Sequence, residues 1–118
     1  MTRYVYKILT RGEWREAEAA GVYAGSGDDR RDGFIHLSAR GQVAATAARH
    51  FAGVADLFLL EIEAARLGDA LAWEPSRGGE MFPHLYGTLD TSAVVAAEPF
   101  EPGADADDAQ RQGNGPAQ

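Results

Sequence analysis

The chain has 118 residues and a formal charge of −7, the size of one domain that can bury its own core and an acidity ill-suited to duplex nucleic acid. It contains no cysteine, which excludes disulfides, thiolate metal ligands and a cysteine nucleophile. No apolar run approaches the ~18 residues that span a bilayer, and the N-terminus lacks the apolar core of a secretion signal, so a cytoplasmic location without membrane attachment is expected.

Residues 4–9 alternate, with Tyr4, Tyr6 and Ile8 on one side and Val5, Lys7 and Leu9 on the other, which predicts a first strand. Thr10 followed by Glu13 reads as a capping box, opening a helix with Trp14 and Ala17 inward and Gly21 at its end. Residues 22–24 read as a short strand. Residues 25–33, polar and rich in glycine and charge, read as a loop. That segment lacks the Gly-Lys-Ser/Thr ending of a phosphate-binding loop and the strand–helix setting of a dinucleotide fingerprint.

Residues 34–37 form a compact predicted strand, with Phe34 and His36 on one face. Ser38 is read as the N-cap of an alanine-rich helix over residues 39–51, with Val43 and Ala47 on its inner stripe. An imidazole beside the free N–H groups of a helix start would suit an anion. His50, late in that helix, is read as a partner of the C-terminal dipole and outside the site. Residues 56–62 are the strongest strand, apolar enough to be central and covered on both faces. A helical turn over 64–67 and a short strand over 70–73 follow.

Residues 73–87 crowd ionisable groups, adjacent glycines and large aromatics into a stretch that Pro75, Pro83 and Gly78-Gly79 bar from an ordinary helix. It reads as a scaffold-held loop, with a strand over 82–86, that either carries function or is a structural turn plugged by aromatics. Residues 92–98 are the last strand. From residue 101 the composition turns to Gly, Pro, Asp, Gln, Asn and Ala, so 1–100 is expected to fold and 101–118 to be a disordered acidic tail.

The chemistry gathers on few residues. His36 and His84 lie in strand-like settings beside turns, and Tyr86 shares the face of His84. If both strands face one cleft, two imidazoles and a phenol meet there. Glu74 ends a strand, where it can orient a ribose hydroxyl, act as a base or pair with Arg77. Arg77 suits a phosphate or carboxylate, and Gly78 and Gly79 permit close backbone approach. Arg30, Arg31 and Arg40 are further cations for a local phosphate pocket. His36, His84 and Glu74 lack the His-Glu-x-x-His spacing of a zinc helix, so no metal is assigned. No Gly-x-Ser-x-Gly elbow marks a serine hydrolase.

Taken in order, Tyr6-Lys7-Ile8-Leu9-Thr10, Trp14, Gly21-Val22-Tyr23, Asp32-Gly33-Phe34-Ile35-His36-Leu37-Ser38, Ala48-Arg49-His50-Phe51, Trp73-Glu74-Pro75-Ser76-Arg77-Gly78-Gly79 and Phe82-Pro83-His84-Leu85-Tyr86-Gly87 resemble the bacterial domain-of-unknown-function family numbered 952, DUF952. The resemblance covers about residues 3–98. That family is similar in fold to the ADP-ribosyltransferases, above all the tRNA 2′-phosphotransferase branch. It implies a single α+β domain with a curved, split, mixed β-sheet, two main helices and a cleft for an NAD-like ligand, and it carries over only His36 and Ser38. The superfamily's late catalytic glutamate has no secure counterpart; Glu74 and Glu80 match by type alone. The leading expectation is an enzyme, or former enzyme, binding NAD as substrate or an ADP-ribosyl ligand. Its catalytic set would be His36, His84 and Glu74, and its ligand-binding set Ser38, Arg77, Gly78, Gly79 and Tyr86. The alternatives are a non-catalytic module for a small metabolite or nucleotide, and a scaffold without a pocket.

Overall fold

The computed structural model describes residues 2–102, apart from the Arg77 side chain. Most of the acidic tail, residues 103–118, therefore lies outside the described residues, as does the expectation that it is disordered.

The first strand, β1 (Tyr4–Thr10), does what its alternation predicts. Val5 and Leu9 enter one apolar cluster, Tyr6 and Ile8 a second on the other face. Thr10 then caps α1 (Arg11–Ala20): its hydroxyl oxygen accepts from the Glu13 amide at 3.1 Å, and Glu13 accepts from the Thr10 amide at 2.9 Å. Such a cap contributes about 1 kcal/mol. Gly21 closes the helix at φ 80°, a conformation that disfavours any Cβ. Trp14 and Ala17 are buried.

After β2 (Val22–Tyr23), the segment read as a loop contains a short helix, α2 (Gly27–Asp32). The correction has a local cause. Ser26 and Asp29 form a capping box, Asp28 and Asp29 sit at the positive end, Arg30 and Arg31 at the negative end, and Gly33 takes the left-handed conformation that ends a helix.

Next come β3 (Ile35–His36) and, after a 3₁₀ turn at Arg40–Gln42, α3 (Val43–His50). Ser38 does not cap this helix. Its amide and carbonyl pair with Tyr6 across a bridge to β1, at 2.9 and 2.8 Å, and its hydroxyl donates to Thr46 Oγ1 at 3.2 Å. The Ala39 amide is taken by Gln42 Oε1 at 2.9 Å and the Leu37 amide by the Pro83 carbonyl at 3.1 Å. The Leu37, Ser38 and Ala39 amides, which follow His36 in the chain, are therefore already used and offer an anion nothing beside it.

The rest of the chain supplies β4 (Leu57–Glu63), β5 (Leu71–Pro75), β6 (Met81–Leu85), β7 (Leu89–Asp90) and β8 (Val94–Phe100). Strand β4 is central in the order β1-β4-β8. Leu60 and Ile62 enter the first cluster and Leu57 the second, so both its faces are covered. Fully burying one such side chain stabilises the fold by about 1.5–3 kcal/mol. A second three-stranded sheet runs β3-β6-β5, and β2 pairs with β7. Where one split mixed sheet is expected, the described strand pairs are all antiparallel and fall into three small sheets. The Tyr6–Ser38 bridge joins the two larger ones. The architecture is a single α+β domain whose longest helices are α1 and α3. Among the described residues no helix is long and apolar enough to cross a membrane.

Candidate functional site

The stretch expected to be a loop with a strand over 82–86 is a hairpin: that strand is β6, and β5 runs on to Pro75 to pair with it. Strands β5 and β6 are joined at Ser76, whose amide donates to the Glu80 carbonyl at 2.9 Å and whose carbonyl accepts from Gly79 at 2.8 Å. Gly78 and Gly79 hold φ of 68° and 81°, so the turn itself requires both glycines. The hairpin sets Glu74 opposite Phe82, one diagonal step from His84, within reach of a long side chain.

Strand β3 pairs with β6 in a register that puts His36 directly opposite His84. Residues so paired share a face, and the two ring centroids are 6.0 Å apart. Phe34 stacks on His84 at 4.0 Å and lies 4.6 Å from His36 and 5.4 Å from the Tyr86 ring. His84 is buried, and its Nδ1 lies 2.7 Å from Glu74 Oε1. The exposed Tyr86 hydroxyl donates to that same oxygen at 2.7 Å. Hydrogen bonds from His84 and then Tyr86 hold the Glu74 carboxyl below its ordinary range, so it is an anion at neutral pH.

His36 is held by a different carboxylate pair. Its Nδ1 lies 2.6 Å from Asp29 Oδ1 and its Nε2 2.9 Å from Asp32 Oδ2. Asp29 is buried, and it also accepts from Lys7 Nζ at 3.0 Å, from the His36 amide at 3.0 Å and from the Ser26 amide at 2.9 Å. Burial alone would push this carboxyl up. The His36 hydrogen bond, the Lys7 charge and the two backbone donors outweigh it and hold Asp29 far below the usual carboxylate range. Asp32 is lowered chiefly by its hydrogen bond to Arg31, then by His36. Arg31 is itself engaged by Asp28 and Asp32, both at 3.2 Å, so the acids of its own helix take up its charge.

A cavity of about 340 Å³ opens at this place. Of the residues singled out from the sequence, Arg31, His36, Ser38 and His84 line it, while Arg30 and Arg40 do not. Glu74, Tyr86, Gly78 and Gly79 do not; Glu74 and Tyr86 stand behind His84. The Arg77 side chain lies outside what is described. The wall also includes Lys7, Asp29, Asp32, Arg49 and His50, none of which was placed in the site from sequence. One signal was available: Lys7 shares the inward face of Val5 and Leu9, and a buried lysine needs an acid partner. Among the described residues no cluster of three or more His, Cys, Asp or Glu side chains is arranged to hold a metal ion.

A family model described as "Protein of unknown function (DUF952)" matches residues 8–97. The chain belongs to the DUF952 family. Among solved structures, it is similar to protein CC0527 from Caulobacter crescentus. The crystal structure of CC0527 is 51% identical over 83% of this chain and 86% of that one, with a TM-score of 0.81. The solution NMR structure of the same protein gives 51% identity, 83% and 84% coverage, and a TM-score of 0.75. Comparison with curated proteins gives no match. The DUF952 match spans both histidines and the hairpin that carries Glu74, so the site lies within the family's domain.

Proposed function

We propose that the cleft between β3 and β6 binds an NAD-like or ADP-ribosyl ligand on an ADP-ribosyltransferase-like fold, and that the reaction it suits is ADP-ribosyl or phosphoryl transfer. The observation that carries this reading is two histidines 6.0 Å apart on one cavity, each with Nδ1 held by a carboxylate. A cavity of about 340 Å³ is at the small end of ligand pockets, which run ~300–1,000 Å³. It takes one end of a dinucleotide rather than the whole. His84 and Ser38 line the reacting end, and Glu74 acts through His84. The phosphates would lie toward Arg49 and toward the hairpin turn of Arg77, Gly78 and Gly79.

A second reading, a non-catalytic module for a small metabolite or nucleotide, is favoured by one observation. Asp29, Asp32 and Glu74 are all held below their ordinary values, so none of these carboxyls serves as a general acid at neutral pH. Calorimetry with NAD and with ADP-ribose, on the wild type and on His36→Ala and His84→Ala, tests the site. Binding by the wild type that either substitution weakens supports it; no heat with either compound removes the ligand class. Mass spectrometry of NAD after prolonged incubation separates the readings, since only the first forms product.

A further inference from the structure

The two histidines are not equivalent. Both ring nitrogens of His36 rest on carboxylates, at 2.6 Å and 2.9 Å. An ionised carboxylate only accepts, so that ring satisfies both contacts by donating from both nitrogens. His84 has Nδ1 on Glu74 and, among the described residues, no hydrogen-bond partner at Nε2. Its side chain is 6% exposed and lines the cavity. A polar atom this deeply buried without a partner needs one from a ligand or from water.

Glu74 decides what that partner is. Its Oε1 already takes the Tyr86 hydroxyl, and it has nothing to donate to His84. A neutral His84 therefore carries its proton on Nδ1 and turns a lone pair at Nε2 toward the cavity. We infer that His84 meets its ligand as a hydrogen-bond acceptor through Nε2, with Glu74 as the positioning residue, and that the group it takes is a hydroxyl or an N–H. While the ring is neutral a phosphate oxygen does not pair there, because two acceptors would face each other. Within the ligand reading above, on which this rests, the assignment also orients the ligand. The hydroxyl-bearing sugar points at His84, and the phosphate points away, toward Arg49 on the same wall.

The experiment is long-range proton–nitrogen NMR of the full chain with labelled histidine, at mildly alkaline pH. The expected wild-type signature of His84 is the Nδ1–H tautomer, the rarer neutral form of a free imidazole. Glu74→Ala loses that signature. Tyr86→Phe keeps it, because Glu74 remains. Glu74 is about two-fifths exposed, so its removal leaves the core intact, and circular dichroism verifies this. A wild-type His84 protonated on Nε2, or a tautomer that Glu74→Ala does not change, overturns the assignment. Titration with ADP-ribose, ribose 5-phosphate and inorganic phosphate completes the test. Movement of the Nε2 resonance by the two sugar compounds but not by phosphate supports it; movement by phosphate alone overturns it. The Nδ1–H signature without movement by any compound upholds the role of Glu74 and removes the NAD-like ligand, so the two ideas fail separately.

Discussion

Asp29→Ala should be among the most damaging single changes in this domain. Asp29 is 3% exposed and is the carboxylate partner of Lys7, which is 7% exposed. Without it, the Lys7 ammonium keeps the His36 carbonyl at 3.1 Å but no opposing charge. Breaking a buried ion pair from one side costs about 3–5 kcal/mol. The same substitution strips the acceptor from the Ser26 and His36 amides, each costing about 1–3 kcal/mol if no water replaces it. These losses belong to one network beside an open cavity and do not simply add, so about 3–5 kcal/mol is the working figure. Against a total stability of about 5–15 kcal/mol, that is a large share. At roughly 4 °C or more per kcal/mol for a domain this size, the thermal midpoint falls by about 12 °C or more. Urea unfolding followed by circular dichroism measures it. The double variant Lys7→Met/Asp29→Leu removes both charges and should recover at least ~1 kcal/mol relative to Asp29→Ala, though not the lost backbone acceptors. A single-variant cost below ~1 kcal/mol, or a double variant no better than the single, would refute the view that an uncompensated Lys7 charge drives the loss.

The same carboxylate fixes the acid limb of stability. The native state holds Asp29 below its ordinary 3.8, so in that range the unfolded chain binds more protons and stability rises with pH. The Asp29 contribution is complete at neutral pH and is lost as pH falls from about 4 toward the depressed native value; the gap in urea midpoint between wild type and Asp29→Asn should therefore shrink over that window. Tyr6 behaves in the opposite sense: burial, then the Glu61 hydrogen bond, push its phenol up to about 12. Its contribution is present below the ordinary value near 10 and is lost as pH rises through about 12. Phenolate absorbance should show a late-titrating group that Tyr6→Phe removes. Two glycines give a paired test. Gly21→Ala meets no atom within 4 Å and should cost only the ~1 kcal/mol of the left-handed conformation. In Gly25→Ala the new Cβ lies 2.9 Å from the Asp29 Cβ, so this change should cost more and weaken ligand binding too. Equal costs at the two positions would show that Asp29 can move freely.

Several elements are legible because their signals are local. Thr10, Glu13 and Gly21 bound α1, and the apolar run of β4 marks a strand covered on both faces. The elements misread have a pattern that is weak or non-local. Helix α2 is six residues of acid and base that read as a loop; only the Ser26–Asp29 spacing and Gly33 betray it. Ser38 looks like an N-cap because a hydroxyl after a strand usually is one. Its backbone is instead taken by Tyr6, 32 positions earlier, a pairing that no local rule detects. The site divides in the same way. Residue parity already puts Phe34 with His36 and His84 with Tyr86, but that the two pairs meet depends on the β3–β6 register.

This division bears on how function can be tested. Asp29 caps α2, neutralises Lys7 and orients His36 at once, so on the His36 side function and folding share one carboxylate. A substitution of Asp29 that abolishes binding says little about the ligand, because the wall itself is lost. On the His84 side the labour is split. The imidazole is buried, but Glu74, which orients it, and Tyr86, which bonds Glu74, reach the surface and carry little of the core. Glu74 is therefore the residue whose removal can change the chemistry of the cleft while leaving its shape, and a ligand whose affinity ignores Glu74 is not held through His84.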